Sequence, residues 1–411
     1  MTYWAQLLHF YQPPTQTHEI LHKVAEESYR PLIEVIRQHP NARLAVNIQG
    51  VLTEQLLEHG LGDVVLGLKE LAEKGQVEFV GSAKFHPILP LIPLAEREKS
   101  IAENARTNGR AFGSAWKPRG FFPPEMCYSA GITPAIHAAG HEWVILSGVA
   151  CPEDWPINVV YRMPSNSSAI AVLFRDDVRS NRVSFRETDP QRFVEDLAKV
   201  GGSEEAYVVT AMDAETYGHH IRDWEKEFLG ATFALLAHHK AHGGSNVRMA
   251  LPSDLLTLFP AGPTIEPFPS SWSTSRDDIA AQNPYPLWKS PGNRLHELQW
   301  EYVDHCLDLV AIARRYATTA PARKFSSIAQ EKLQPALHSC QFWWASRRPM
   351  WDVSMVHRGF VLLNEVVVYA SKSIREGSAS EAVKRNAAWR LAAANEARME
   401  IERELIWSEG G

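Results

Sequence analysis

The sequence predicts an α/β chain: a parallel barrel of alternating strands and helices, followed by a C-terminal α-helical bundle domain. Three observations carry this. Short apolar or β-branched runs alternate with amphipathic stretches over roughly the first 250 residues, giving seven or eight candidate strands. After Phe259 proline and glycine crowd the chain, and from Asn293 to Trp407 nearly every stretch has helical period. Polar residues gather where strands run out, which is where a parallel barrel carries its chemistry. The expected division is residues 1–260 for the barrel, 261–292 for an irregular connection and 293–411 for the helical domain.

Tyr3–His9 reads as the first strand, stopped by Pro13 and Pro14, so His9 and Gln12 sit at its end. Tyr29–Gln38 has a helical pattern, Arg43–Ile48 is the next strand, and Leu52–His59 returns to helix. Val64–Lys74 is amphipathic and Gly75 closes it. Val77–Val80 is a strand that leads into a proline-rich loop carrying His86. Leu94–Gly109 is helical, and an aromatic strand then delivers Phe122 and Glu125. Ile132–Ala139 is a short helix, with strands at Glu142–Leu146 and Ile170–Phe174 and a polar segment, Phe174–Asn181, after the latter. Pro190–Lys199 is helical and feeds the buried strand Ala206–Met212, after which Asp213, Glu215, His219 and His220 follow at once. Asp223–His239 is a long helix and Val247–Leu251 the last strand. The connection holds Trp272 and Trp288, and four helices follow: Leu295–Tyr316, Ser327–Ala345, Val353–Ile374 and Ser380–Trp407.

Composition excludes several classes. The net charge is −6 with basic residues scattered, which points to neither a nucleic-acid nor a membrane-surface partner. No apolar run is expected to span a bilayer, and the N-terminus lacks the basic n-region and the small-residue cleavage site of a signal peptide. Four dispersed cysteines imply neither a zinc knuckle nor a disulfide framework, so a reduced, cytoplasmic chain is expected. The 13 tryptophans exceed the usual share, and their faces suit stacking on sugar rings.

Glu125 and Asp213 are delivered by the ends of two different strands, and two such carboxyls are the minimum equipment for cleaving a glycosidic bond. A retaining enzyme needs them roughly 5–5.5 Å apart. The proton donor must hold its proton near neutrality, which burial or a second negative charge provides. Plainer readings compete. Asp213 and Glu215 could cap the helix near Trp224, and His9 and His86 could be hydrogen-bonded core residues. His9, Asp213, His219 and His220 could instead ligate a metal, as in a zinc-dependent sugar hydrolase on a similar barrel. A non-catalytic carbohydrate-binding protein is a third reading.

Four ordered stretches resemble the sequence regions of glycoside hydrolase family 57: HFYQP at His9–Pro13, GQVEFVGSAKFHPILPL at Gly75–Leu91, GFFPPEMCYS at Gly120–Ser129 and MDAETYGHH at Met212–His220. The resemblance implies a (β/α)7 barrel with a helical domain and a retaining enzyme of α-glucans, an α-amylase-like hydrolase or an α-glucan transferase. It needs no metal or organic cofactor. By that resemblance Glu125 is the nucleophile and Asp213 the general acid/base, with Glu215 and His220 in the same region. His9, Gln12 and His86 line the subsite of the cleaved sugar; Phe122 and Trp272 are further candidates for substrate contact. A fifth region in the helical domain implies aromatic contacts from Trp343, Trp344 and Trp351. Tyr11, Phe122 and Ala214 depart from the family's commoner histidine, tryptophan and glycine.

Overall fold

The computed structural model describes residues 1–153, 155, 157–165, 168–348 and 351–408. Its strands are β1 (Thr2–Phe10), β2 (Leu44–Ile48), β3 (Val77–Val80), β4 (Gly120–Phe121), β5 (Trp143–Ser147), β6 (Val160–Ser165), β7 (Ser168–Arg175), β8 (Ala206–Asp213), β9 (Val247–Met249) and β10 (Ala261–Thr264). Two compact units divide the chain: Met1–Lys84 with Leu89–Trp272, and Phe85–Ile88 with Ser273–Gly411.

The first unit is a closed ring of parallel strands in the order β1-β2-β3-β4-β5-β7-β8 and back to β1. Gly81 closes the β3–β4 junction, its N–H donating to Gly120 O (2.9 Å) while its carbonyl accepts from Phe122 N (2.9 Å). Gly120 is required there: a Cβ would sit 2.1 Å from the indole of Trp143 on the paired strand β5. β9 adds a parallel strand to the first residues of β1. This is the (β/α)7 barrel that the resemblance implies.

Period two sorts the strand residues into two cores. Trp4, Leu8, Phe10, Val46, Ile48, Val208 and Met212 face outward and are covered by helices such as Arg30–Gln38 and Gly62–Glu73. Ala5, Leu7, Ala45, Ile145, Leu173, Tyr207, Val209 and Ala211 face inward and fill the barrel.

Some expectations need correction. β6 turns back antiparallel on β7 and carries β10 on its outer side; Arg162 and Pro164 interrupt the apolar run that would have announced it. The polar segment after β7 is largely helix, Asp177–Ser184, because the Asp176 carboxylate caps Arg179 N. The helix expected from Asp223 opens as a π-helical turn, Glu225–Gly230, before Ala231–His242.

The second unit is helical: Arg294–Tyr316, Ala320–Ala336, Cys340–Trp343, Val353–Glu376 and Glu381–Ser408. The expected helix Ser327–Ala345 starts earlier, capped by Thr319, and ends just after Pro335, which lacks the N–H needed to continue it. Val353–Glu376 is long and apolar enough to cross a membrane by length and composition, against the expectation that no run is. Its apolar character serves the bundle: Val356, Phe360, Leu363, Val366, Val367 and Ile374 are buried among the neighbouring helices.

Candidate active site

The same period-two rule builds the site. Continuing the inward rows by one step brings His9 from β1, Asn47 from β2, Arg175 from β7 and Asp213 from β8 to the C-terminal end of the barrel. His9 is the register partner of Asn47 on one side and of Asp213 on the other.

Glu125 arrives differently. β4 ends, Pro123 and Pro124 force a turn, and Glu125 takes the left-handed conformation (φ 58°, ψ 17°) that non-glycine residues rarely adopt. Trp272 clamps it twice. The Trp272 backbone N–H donates to the Glu125 carbonyl (3.1 Å), and the indole Nε1–H donates to carboxylate Oε2 (3.0 Å). A strained backbone persists only where its surroundings over-determine it, and such strain clusters at functional sites.

One aromatic cluster ties the two carboxyl-bearing ends together. The Phe122 ring stacks on His9 with centroids 4.6 Å apart and planes 16° apart, and Trp272 meets both edge-on at 5.7 and 5.8 Å. Tyr11 lies 6.1 Å from His9 on a near-parallel plane. His9 thus touches the turn that carries Glu125 while its backbone runs beside Asp213. Its Nδ1 is 2.8 Å from Asn47 Oδ1, and the Asn47 amide is oriented by donating to Val80 O (3.0 Å) and accepting from Gln49 Nε2 (3.0 Å). Nδ1 therefore carries the proton and Nε2 is the acceptor nitrogen. Burial lowers the His9 pKa to about 4, so the ring is neutral at physiological pH.

Asp213 and Glu215 form the acidic side. Burial raises both above the ordinary carboxyl range; the charge of Arg175 opposes this at Asp213, and the charge of Asp213 adds to it at Glu215. Arg175 is held by Ala211 O (2.8 Å), Asp177 (2.7 Å) and Asn181 (2.8 Å). Glu215 Oε1 accepts from Gln12 Nε2 (3.0 Å) and from the Tyr29 hydroxyl.

The loop after Asp213 is gripped by a π-helical turn, Ala25–Tyr29, a form that recurs at functional sites. Ser28 Oγ donates to Ala214 O (3.0 Å) and Glu27 pairs with His219 Nδ1 (2.6 Å). Gly218 lets the two segments touch: at φ 101° a Cβ would stand 1.8 Å from Glu27 O. Gly218→Ala is expected to lose roughly 2–3 kcal/mol or more of stability. Urea unfolding would check this, and an unchanged midpoint would refute the close approach.

The remaining candidates are His220 in the first unit and His86, Trp343, Trp344 and Trp351 in the second. His220 is exposed, although its backbone N–H donates to Glu215 O (2.8 Å). His86 belongs to the helical unit. It is 1% exposed, left-handed (φ 58°) and doubly joined to Ser339, through Nδ1 to Oγ (2.9 Å) and from Ser339 N to the His86 carbonyl (3.0 Å). Trp343 and Trp344 are half-buried, edge to face at 4.8 Å, and Trp351 lies under the Arg347 guanidinium at 4.8 Å. Among the described residues no three His, Cys, Asp or Glu side chains converge as a metal site would need. Tyr29, Asn47 and Arg175 were not foreseen. Tyr29 sits in an apolar helical pattern that reads as core. Asn47 and Arg175 carry one available signal, a polar residue closing an inward row.

Comparison with known proteins agrees with this architecture. The family model for glycosyl hydrolase family 57 matches residues 4–266. An α-amylase of Pyrococcus horikoshii is 28% identical over 293 residues, covering 67% of this chain and 43% of that protein. A 4-α-glucanotransferase of Thermococcus kodakarensis is 27% identical over 220 residues, covering 51% of this chain and 32% of that protein. The chain therefore spans less than half the length of these relatives. A solved family 57 branching enzyme of Thermococcus kodakaraensis superposes with TM-score 0.68 at 16% identity, covering 96% of this chain and 95% of that one.

Proposed function

From the premise that this chain belongs to glycosyl hydrolase family 57, we propose that it is a retaining enzyme of α-glucans, with Glu125 as nucleophile and Asp213 as general acid/base. One observation carries the reading. The turn of Glu125 and the strand end of Asp213 are joined through the His9–Phe122–Trp272 cluster, and burial raises the Asp213 pKa as a proton donor requires.

Glu125 attacks the anomeric carbon while the glycosidic C–O bond breaks and Asp213 gives its proton to the departing oxygen. In the second step a hydroxyl attacks the same carbon, returns a proton to Asp213 and frees Glu125. The Trp272 indole N–H holds Glu125 Oε2 in place. Neutral His9 offers a ring nitrogen to a sugar hydroxyl; the Gln12 amide is engaged with Glu215, Tyr29 and Gln16. The scheme uses no metal or organic cofactor. A cytoplasmic location is part of the proposal, in keeping with the buried thiols of Cys127 and Cys306.

The attacking hydroxyl belongs to water in a hydrolase and to a second sugar in a transferase, and the names of the relatives include both. Incubation with a panel of α-glucans and aryl α-glycosides, followed by product analysis, separates them. Short sugars with new reducing ends are expected from hydrolysis. Longer or newly branched chains without net reducing ends would assign the transferase, and inertness toward every α-linked substrate would overturn the proposal.

A further inference from the structure

The ends of β1, β2, β3 and β4 are tied together by one chain of hydrogen bonds whose direction is fixed. At its far end stands Phe122 O, a backbone carbonyl that can only accept, so the Ser82 hydroxyl spends its proton there (2.7 Å). Ser82 Oγ is left to accept from Gln49 Nε2 (3.1 Å), and the same amide nitrogen donates to Asn47 Oδ1 (3.0 Å). At the near end Asn47 Nδ2 meets two more carbonyls, Val80 O (3.0 Å) and Gly81 O (3.3 Å). Asn47 therefore turns its oxygen, not its nitrogen, to the His9 ring, and Nδ1 donates to it (2.8 Å). His9, Asn47, Gln49 and Ser82 are at most 3% exposed, so a reversed amide would bury groups that oppose one another. Phe122, whose carbonyl ends the chain, also stacks its ring on His9. One contact holds the imidazole face-on, and the other sets its tautomer.

We propose that Asn47 is a positioning residue of this site: it locks His9 in the Nδ1–H form, so that Nε2 accepts a hydrogen bond from a hydroxyl of the sugar being cleaved. The inference rests on the carbohydrate reading given above and adds a polarity to it. Nε2 is the nitrogen turned away from β2, and in this tautomer it cannot donate. The ring therefore selects a group that brings its own proton. A hydroxyl satisfies it, whereas hydrogen or fluorine at the same sugar carbon leaves a buried acceptor unmatched. Asn47 touches no substrate in this scheme. Its effect passes wholly through His9, and its own orientation comes from the backbone carbonyls of Val80 and Gly81.

The test reads the tautomer and the rate separately. In protein labelled with 15N-histidine, the His9 ring is assigned by comparison with His9→Gln. Wild type is expected to show a protonated Nδ1 and a bare Nε2 at neutral pH. Asn47→Leu keeps the bulk of the side chain but removes the acceptor, so the ring should shift toward the Nε2–H form. Its kcat/KM on aryl α-maltosides should fall by about tenfold or more, and the preference for hydroxyl over fluorine at one sugar carbon should shrink with it. A general loosening of the barrel end would slow all the substrates alike and leave that preference standing, which would overturn the proposal. An Nε2–H ring in wild type would overturn it whether or not Asn47→Leu folds. If wild type turns over no α-glucan while its His9 ring shows the expected form, it is the carbohydrate reading that fails and not the lock on His9.

Discussion

Glu125→Gln is expected to lower kcat by about four orders of magnitude or more while leaving the fold intact, because an amide cannot form the glycosyl–enzyme bond. The structure argues that this variant folds. Glutamine has the shape of glutamate and needs no more from the left-handed backbone at position 125. The backbone bond from Trp272 N to the residue-125 carbonyl is untouched, and the indole N–H can donate to the amide oxygen as it does to Oε2. A sharper version uses Glu125→Ala with azide. The small anion enters the vacated space, attacks the anomeric carbon once, and releases a glycosyl azide of inverted configuration. That product identifies the residue as the nucleophile and not merely as a support. A folded Glu125→Gln protein retaining near-normal turnover would sink the assignment.

The placement of Glu125 and Asp213 where strands end was legible in the sequence for a physical reason. A buried strand must be apolar along its length, so an acid following it at once stands where the strand meets an open end. The same logic predicted nearly all of the barrel, since helix and strand periods differ and each strand was short and apolar. It missed β6, where Pro164 and Arg162 break the pattern, and it ran one bundle helix past Pro335. What it could not reach was the set of partners. Tyr29 donates to Glu215 across 186 positions of chain, and Trp272 reaches Glu125 across 147. Both read as core or connection until the fold brings them together. Asn47 was within reach, because period two puts it in the inward row beside Ala45, but a lone asparagine at a strand end gives no sign of the histidine it orients.

Asp213→Asn should divide the two chemical steps and move stability the opposite way from activity. On α-glucans, whose leaving groups need a proton, kcat/KM is expected to fall by about two to four orders of magnitude. On aryl glycosides with acidic leaving groups the first step needs little help. The glycosyl–enzyme should then accumulate, and azide should release it with retained configuration, opposite to its product with Glu125→Ala. Stability follows from the sign of the shift. Burial raises Asp213 above its unfolded value, so between those two values the native state binds more protons than the unfolded state, and wild-type stability falls as pH rises through that window. Asparagine has no charge to bury. The variant should therefore unfold at a higher urea concentration than wild type at pH 8, with the gap closing toward pH 4. A variant less stable than wild type at pH 8 would mean that the Asp213 carboxylate is held by Arg175 as a structural ion and not strained toward its protonated form.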